Sequence, residues 1–286
     1  MDKHLLFVYG TLRKNESNSH FLKHTKCVAE QAWTNGVLYD TELGYPTMRI
    51  SNLKCVYGEV YEIEDEQLKQ IDKLEDFVEN RSSNFYDRIT QKVYTDQGEL
   101  EAYVYVASDQ LKMVIKEIPL GDWKEYGYYS KKDNFYYFAY GSCLDDARFK
   151  LAKVDHYFQE LVGRSVLSGY SLRFTVRLPD GGRADIVEDG GVVEGKLYQL
   201  PYEAVRYLYK REGVDHQLYR PAFVDVLVDG VVYKDVLTFI VIGKKEELAP
   251  PDHYAEEIIR GGNGCLSDEY IQRIEFYMRT LPKSCN

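Results

Sequence analysis

A chain of 286 residues with 44% hydrophobic and 29% charged side chains has a soluble, globular balance and room for two ordinary domains. Its net charge of −10, without a long Lys/Arg block, argues against nucleic-acid partners and against an anionic membrane surface. No apolar run reaches the roughly 20 residues of a membrane span. The start runs straight into a strand-like segment, and the five scattered cysteines (Cys27, Cys55, Cys143, Cys265, Cys285) form no CxxC pair. The expectation is a reduced cytoplasmic protein without a secretory leader or structural metal.

In chain order, a strand at Leu5–Tyr9 ends in Tyr9-Gly10-Thr11-Leu12 and leads to a polar loop, Lys14–His20. Gly36–Asp40 reads as a short strand and Gly44-Tyr45-Pro46 as a turn. Val56–Ile63 alternates as a strand, and Glu64–Glu75 carries apolar residues at helical spacing. Arg88–Tyr94 and Leu100–Ala107 form a strand pair, with Gly121-Asp122-Trp123 near the domain's end. The polar stretch Tyr128–Asn134 reads as a linker, giving domains 1–130 and 134–286.

The second half repeats the first. Strand Tyr136–Tyr140 ends in Tyr140-Gly141-Ser142-Cys143-Leu144. Further strands are expected at Tyr170–Val176, Val192–Leu200, Ala222–Val228 and Leu237–Ile242. A helix is expected at Pro201–Arg211 with proline in its first turn. Pro250-Pro251 opens a helical tail at Tyr254–Arg260, which Gly261-Gly262-Asn263-Gly264 breaks, and Ser267 caps a last helix through Met278. Gly58 and Gly195 are offset by 137 residues, as are Glu75 and Glu212, so the Gly-to-Glu spacing is 17 in both halves. A period this long signals two whole domains, not a solenoid. Neither half alternates strictly as βαβ. Each reads as α+β, a mixed or largely antiparallel sheet closing toward a small barrel with flanking helices. The 26 tyrosines fit half-buried strands.

Two features carry chemistry. Gly followed by a hydroxyl residue at a strand end can turn backbone N–H groups outward to hold an anion. Glu75 follows Leu68 and Ile71, and Glu212 follows Val205 and Leu208, at i, i+3, i+7, which puts each carboxyl on an apolar helix face. Desolvation there raises its pKa, which suits a group that takes and returns a proton near neutrality. A glutamate whose side chain reaches water is the plain alternative, and recurrence at one register argues against it. Tyr86 and Arg88, like Tyr219 and Arg220, begin strands, where packing and a solvated charge are equally ordinary. Cys143 has no nearby His, and Asp145 and Asp146 would raise its pKa, against a catalytic thiol. The six histidines show no metal-binding spacing.

At these residues the chain resembles the gamma-glutamylcyclotransferase-like family. Domain one resembles the gamma-glutamylamine cyclotransferase branch through Val8-Tyr9-Gly10-Thr11-Leu12-Arg13, Tyr45-Pro46, Val56-Tyr57-Gly58-Glu59-Val60-Tyr61 and Leu74-Glu75. Domain two resembles the gamma-glutamylcyclotransferase branch through Phe138-Ala139-Tyr140-Gly141-Ser142, Val193-Glu194-Gly195, Glu212-Gly213 and Tyr219. The resemblance implies a small γ-glutamyl amide as substrate, whose own α-amine attacks its γ-carbonyl and releases 5-oxoproline and an amine. It implies no cofactor. Glu75 and Glu212 would move the protons; Tyr9, Gly10, Thr11, Leu12 and Tyr86, and Tyr140, Gly141, Ser142, Cys143, Leu144 and Tyr219, would bind substrate. A protein that binds small carboxylates in the same pockets without turnover is the alternative. Two departures stand out: Asp76 where the family has Gly, and Cys143 where its branch has Asn. The acid beside Glu75 and the longer excursion Phe77–Phe85 make domain two the expected better-formed site.

Overall fold

Runs in which apolar and polar residues alternate need a hydrogen-bonding partner on both edges. In each half of this chain five such runs supply one another by closing into a barrel. The computed structural model describes residues 3–111, 116–128 and 133–283. Residues 129–132 of the expected linker, and Cys285, lie outside the described residues. The chain divides into two units, Met1–Ser130 and Lys131–Asn286.

Domain one contains β1 (Lys3–Val8), β2 (Lys26–Asn35), β3 (Val37–Asp40), β4 (Pro46–Arg49), β5 (Cys55–Glu64), α1 (Asp65–Leu74), β6 (Tyr86–Thr95), β7 (Gly98–Ala107), β8 (Lys116–Glu117) and α2 (Trp123–Tyr128). The barrel order is β1-β5-β2-β6-β7, closed by a parallel pairing of β1 with β7. The strands β4, β3 and β8 form a separate small sheet. Phe7, Val56, Val60, Val93 and Val104 fill one core cluster, while Leu6, Ile63, Leu68 and Ile71 pack α1 onto the barrel.

Domain two contains β9 (Asn134–Ala139), α3 (Asp146–Leu151), β10 (Glu160–Ser168), β11 (Ser171–Leu178), β12 (Gly181–Val187), β13 (Val192–Pro201), α4 (Ala204–Arg211), β14 (Tyr219–Val228), β15 (Val231–Val241), α5 (Asp252–Gly262) and α6 (Asp268–Thr280). Its barrel order, β9-β13-β10-β14-β15 with β9 parallel to β15, repeats that of domain one strand for strand. The expected α+β fold of two tandem barrels is therefore the fold observed.

The shared glycines of the fifth and thirteenth strands have a packing cause. A Cβ at Gly58 would lie 2.2 Å from the Val8 carbonyl oxygen, and one at Gly195 would lie 2.4 Å from that of Ala139. Each lets the strand that carries the Tyr-Gly loop pass close over its neighbour.

Several expectations are corrected. Pro201 ends β13, and α4 begins at Ala204. α5 runs from Asp252 through Gly262. Its Gly261 is a contact residue and not a break, because a Cβ there would lie 2.3 Å from the Leu144 carbonyl carbon. The helix stops at Asn263, and Ser267 Oγ accepts from Tyr270 N to start α6 as expected.

Candidate active site

The two glutamates occupy the same backbone position. Glu75 closes α1 with φ −83° and ψ 4°, and Glu212 closes α4 with φ −83° and ψ 0°. Each donates its backbone N–H to the residue four back, Ile71 O and Leu208 O, both at 2.9 Å. The next residue turns left-handed in both domains, Asp76 with φ 52° and Gly213 with φ 62°. Glycine is at ease there, and Asp76 is strained.

The Tyr-Gly loops also correspond. Tyr9 Oη donates to Tyr105 O at 2.7 Å, and Tyr140 Oη to Phe239 O at 2.6 Å, so both hydroxyls anchor the loop to the barrel. Loop closure uses Arg13 N to Gly10 O in domain one and Leu144 N to Gly141 O in domain two. Among the described residues the N–H groups of Thr11 and Leu12, and of Ser142 and Cys143, donate to no protein acceptor. Opposite each loop, Tyr86 Oη donates to Pro46 O at 3.4 Å and Tyr219 Oη to Ala184 O at 2.6 Å. Burial holds both phenols neutral, with pKa values pushed above the usual range.

In domain one these parts surround a cavity of about 440 Å³. Glu75, Gly10, Thr11, Leu12, Tyr9 and Tyr86 all line it, together with Tyr45, Pro46, Leu74, Phe85, Tyr105 and Leu111. No lysine or arginine lines it among the described residues. The Glu75 carboxyl has no hydrogen-bond partner among them, and burial alone pushes its pKa to about 7. The adjacent Asp76 is not the cause. Asp76 also lines the cavity, but its carboxylate is paired with Arg81 at 3.0 Å, and Arg81 also donates to the Asp76 carbonyl. The excursion Phe77–Phe85 does not displace Tyr86 either. Asn84 ties the loop back on itself through Val78 N at 3.1 Å and Val78 O at 3.0 Å.

Domain two has the same parts around a cavity of only about 30 Å³, lined by Tyr140, Gly141, Ser142, Cys143, Glu212, Tyr219 and Tyr254 among others. Arg211 reaches the same loop. Its Nη2 donates to Ser142 Oγ at 2.9 Å and its Nε to Cys143 Sγ at 3.0 Å, while Cys143 Sγ lies 3.6 Å from Glu212 Oε1. Burial raises the Glu212 pKa and the Arg211 cation opposes it. Domain two was expected to hold the better-formed site, yet the larger cavity lies in domain one; in domain two Tyr254 lines the small cavity and Arg211 bonds to the loop. Arg211 was missed in the sequence, where its place directly before Glu212, opposite Leu74 before Glu75, was the available signal. Tyr254 gave no such signal, because it lies on α5, beyond the landmarks that repeat between the two halves. Arg88 belongs to the scaffold, ion-paired with Asp72 at 2.5 Å.

Family models for gamma-glutamyl cyclotransferase, AIG2-like, and for the AIG2-like family match residues 6–125 and 192–274. YkqA of Bacillus subtilis, a protein named for the gamma-glutamylcyclotransferases, is 49% identical over 282 residues, 98% of this chain and 99% of YkqA. The chain belongs to the gamma-glutamylcyclotransferase-like family. The crystal structure of YkqA is similar with a TM-score of 0.89 at 48% identity, covering 99% of this chain and 100% of that one. The gamma-L-glutamyl-butirosin B gamma-glutamyl cyclotransferase of Niallia circulans is 40% identical over 124 residues, 42% of this chain and 76% of that protein. As a gamma-glutamylcyclotransferase-like chain it has two family domains whose pockets differ more than tenfold in volume. Among the described residues no cluster of His, Cys, Asp and Glu is arranged to hold a metal ion, and no helix is long and apolar enough to cross a membrane.

Proposed function

We propose that domain one is a gamma-glutamyl cyclotransferase site and that domain two is a closed copy without turnover. The observation that carries this reading is an unpaired carboxyl, Glu75, with a pKa of about 7, in one open cavity with the free amides of Thr11 and Leu12. The substrate α-carboxylate rests on those amides, charge against N–H dipoles. The α-nitrogen then bonds to the γ-carbonyl carbon and the bond from that carbon to the amine nitrogen breaks. Holding the γ-glutamyl group folded supplies much of the rate, since attack is intramolecular.

Proton balance defines the role of Glu75. The α-ammonium carries three protons and the lactam nitrogen keeps one. Two protons end on the leaving amine, which departs as an ammonium ion. No water is consumed. Glu75 takes a proton from the attacking nitrogen and hands it to the leaving one, which a group with a pKa near 7 does in both directions. Tyr86, neutral and in the same cavity, turns its one O–H from the long contact with Pro46 O to the γ-carbonyl oxygen as that oxygen gains charge.

The leaving amine faces Tyr45, Leu74, Phe85 and Leu111. The Niallia circulans relative, named for a γ-glutamyl derivative of butirosin B, is consistent with an amide whose amine part is large. Incubation of the full chain with a panel of γ-glutamyl amides, with 5-oxoproline and free amine quantified, tests the reading. Equimolar release of the two supports it. Binding without release would make this a carboxylate-binding protein.

A further inference from the structure

A buried ionic cluster lies just behind the Tyr-Gly loop of domain one. The Glu59 side chain, on β5, is 4% exposed, that of Arg13 is 3% and that of Asp122 is 2%. Glu59 Oε1 accepts from Arg13 Nε at 3.1 Å, and its Oε2 accepts from Lys14 N at 2.7 Å and from Tyr61 Oη at 2.9 Å. Arg13 Nη1 reaches on to Asp122 Oδ1 at 2.8 Å, which also accepts from Lys124 N at 2.8 Å at the start of α2. The chain leaving the loop is thereby fixed at residues 13 and 14 to both β5 and α2. None of these side chains lines the cavity.

Domain two solves the same problem with the charge reversed. Glu59 corresponds to Lys196 at the 137-residue offset. Lys196 Nζ donates to the carbonyl of Leu144, the residue that stands where Arg13 does, at 2.7 Å. Tyr61 corresponds to Tyr198, whose Oη donates to Asp146 at 3.0 Å. A buried ion pair costs much of what it gains and is often replaceable by apolar packing. Two unlike polar devices at one spot, each ending on the loop's exit, indicate that what is maintained is the loop's position.

We propose that Glu59, Arg13 and Asp122 are positioning residues that hold the Thr11 and Leu12 amides aimed into the cavity for the substrate carboxylate. This rests on the cyclotransferase reading of domain one. None of the three touches substrate. Their effect is on where two N–H groups point, and an error of about 1 Å in such a contact can cost on the order of 10²-fold.

The test uses the full chain and three variants: Glu59→Gln, Glu59→Lys, and the double variant Arg13→Leu with Glu59→Lys, which imports the domain-two arrangement. Glu59→Gln is expected to raise KM by about tenfold to 10²-fold with kcat nearly unchanged. The acid limb of its pH profile stays in place, because Glu75 is untouched. Glu59→Lys sets three buried cations together, with Arg13 and with Lys124, whose Nζ lies 3.7 Å from Glu59 Oε1, and loses more; the double variant removes one of the three and recovers part of that loss. Amide NMR spectra during titration with 5-oxoproline or acetate read the same point without turnover. The Thr11 and Leu12 signals move on titration in the wild type, move less in Glu59→Gln, and move again in the double variant. An unchanged KM and unchanged titration in Glu59→Gln would overturn the proposal, as would a folded double variant no better than folded Glu59→Lys. If Glu59→Lys does not fold, Glu59→Gln alone decides. If the wild type releases no 5-oxoproline, the cyclotransferase reading fails, and the amide titration still judges the clamp.

Discussion

The Glu212 carboxylate lies 3.9 Å from the guanidinium of its own chain neighbour, Arg211. The residue before Glu75 is Leu74, so the corresponding carboxyl in domain one has no cation beside it. One substitution in a duplicated frame thus separates a free, proton-accepting acid from a paired one. The same guanidinium also bonds to the Tyr-Gly loop, through Ser142 Oγ and Cys143 Sγ, and with Tyr254 it accompanies the smaller cavity of domain two.

Glu75→Gln is expected to lower kcat by about 10²–10⁴-fold, since Gln keeps the shape and removes the proton transfer. Glu212→Gln is expected to change kcat little. Steady-state 5-oxoproline release from both variants checks this. A large loss with Glu212→Gln and none with Glu75→Gln would move the active site to domain two.

The pH profile follows from the cause of the Glu75 shift. The carboxyl must be ionised to accept the first proton, so kcat/KM is expected to fall tenfold per unit below an inflection near pH 7. Burial sets that inflection, not Asp76. Asp76→Gly should therefore leave it where it is, while relieving a left-handed backbone worth roughly 1 kcal/mol. An inflection that moves down markedly in Asp76→Gly would show that like-charge repulsion matters after all.

Stability carries the opposite signature. The Glu75 pKa is about 7 in the folded chain against an ordinary 4.5, so the folded state binds more protons between those values. Stability contributed by this group is therefore full at low pH and declines as pH rises from about 4.5 through 7. The cost of holding the carboxylate ionised above pH 7 is at most roughly 3 kcal/mol. Glu75→Gln should melt higher than wild type at pH 8 and equal to it near pH 4. Calorimetric melts at both values check the sign.

The frame of this molecule was legible where periodicity was clean. Val56–Ile63, Val192–Leu200 and both glutamate-bearing helices fell within a few residues of the observed elements. Among the barrel strands, β2 and β10 went unread, and they are the same strand in the two domains. Both are bulged, β2 between Cys27 and Ala32 and β10 between Leu161 and Gly163, so the two-residue alternation slips. β12 was unread because Gly181-Gly182 looks like a turn; a Cβ at Gly182 would lie 2.1 Å from Leu248 O. The glutamates and the loops were legible through repetition. The ranking of the sites was not, because it depends on volume. Cavity volume comes from side chains such as Tyr254 that reach in from elements outside the repeat.

The sharpest test of that ranking transfers the domain-two arrangement into domain one. Leu74→Arg places a guanidinium beside Glu75 and within the frame where Thr11 stands for Ser142. Two effects should follow. An opposite charge at a few ångströms lowers a carboxyl pKa by about 1–3 units, so the acid limb of kcat/KM moves well below pH 7. The side chain also enters the cavity of about 440 Å³ in front of the Thr11 and Leu12 amides, so 5-oxoproline binding weakens. Calorimetry with 5-oxoproline is expected to find one site per wild-type chain and none in Leu74→Arg, with melting temperature close to wild type because Leu74 is 37% exposed. Two equivalent sites in the wild type, or one that survives Leu74→Arg, would place binding in domain two. An inflection that stays at pH 7 in a variant that still turns over would mean that a group other than Glu75 moves the proton.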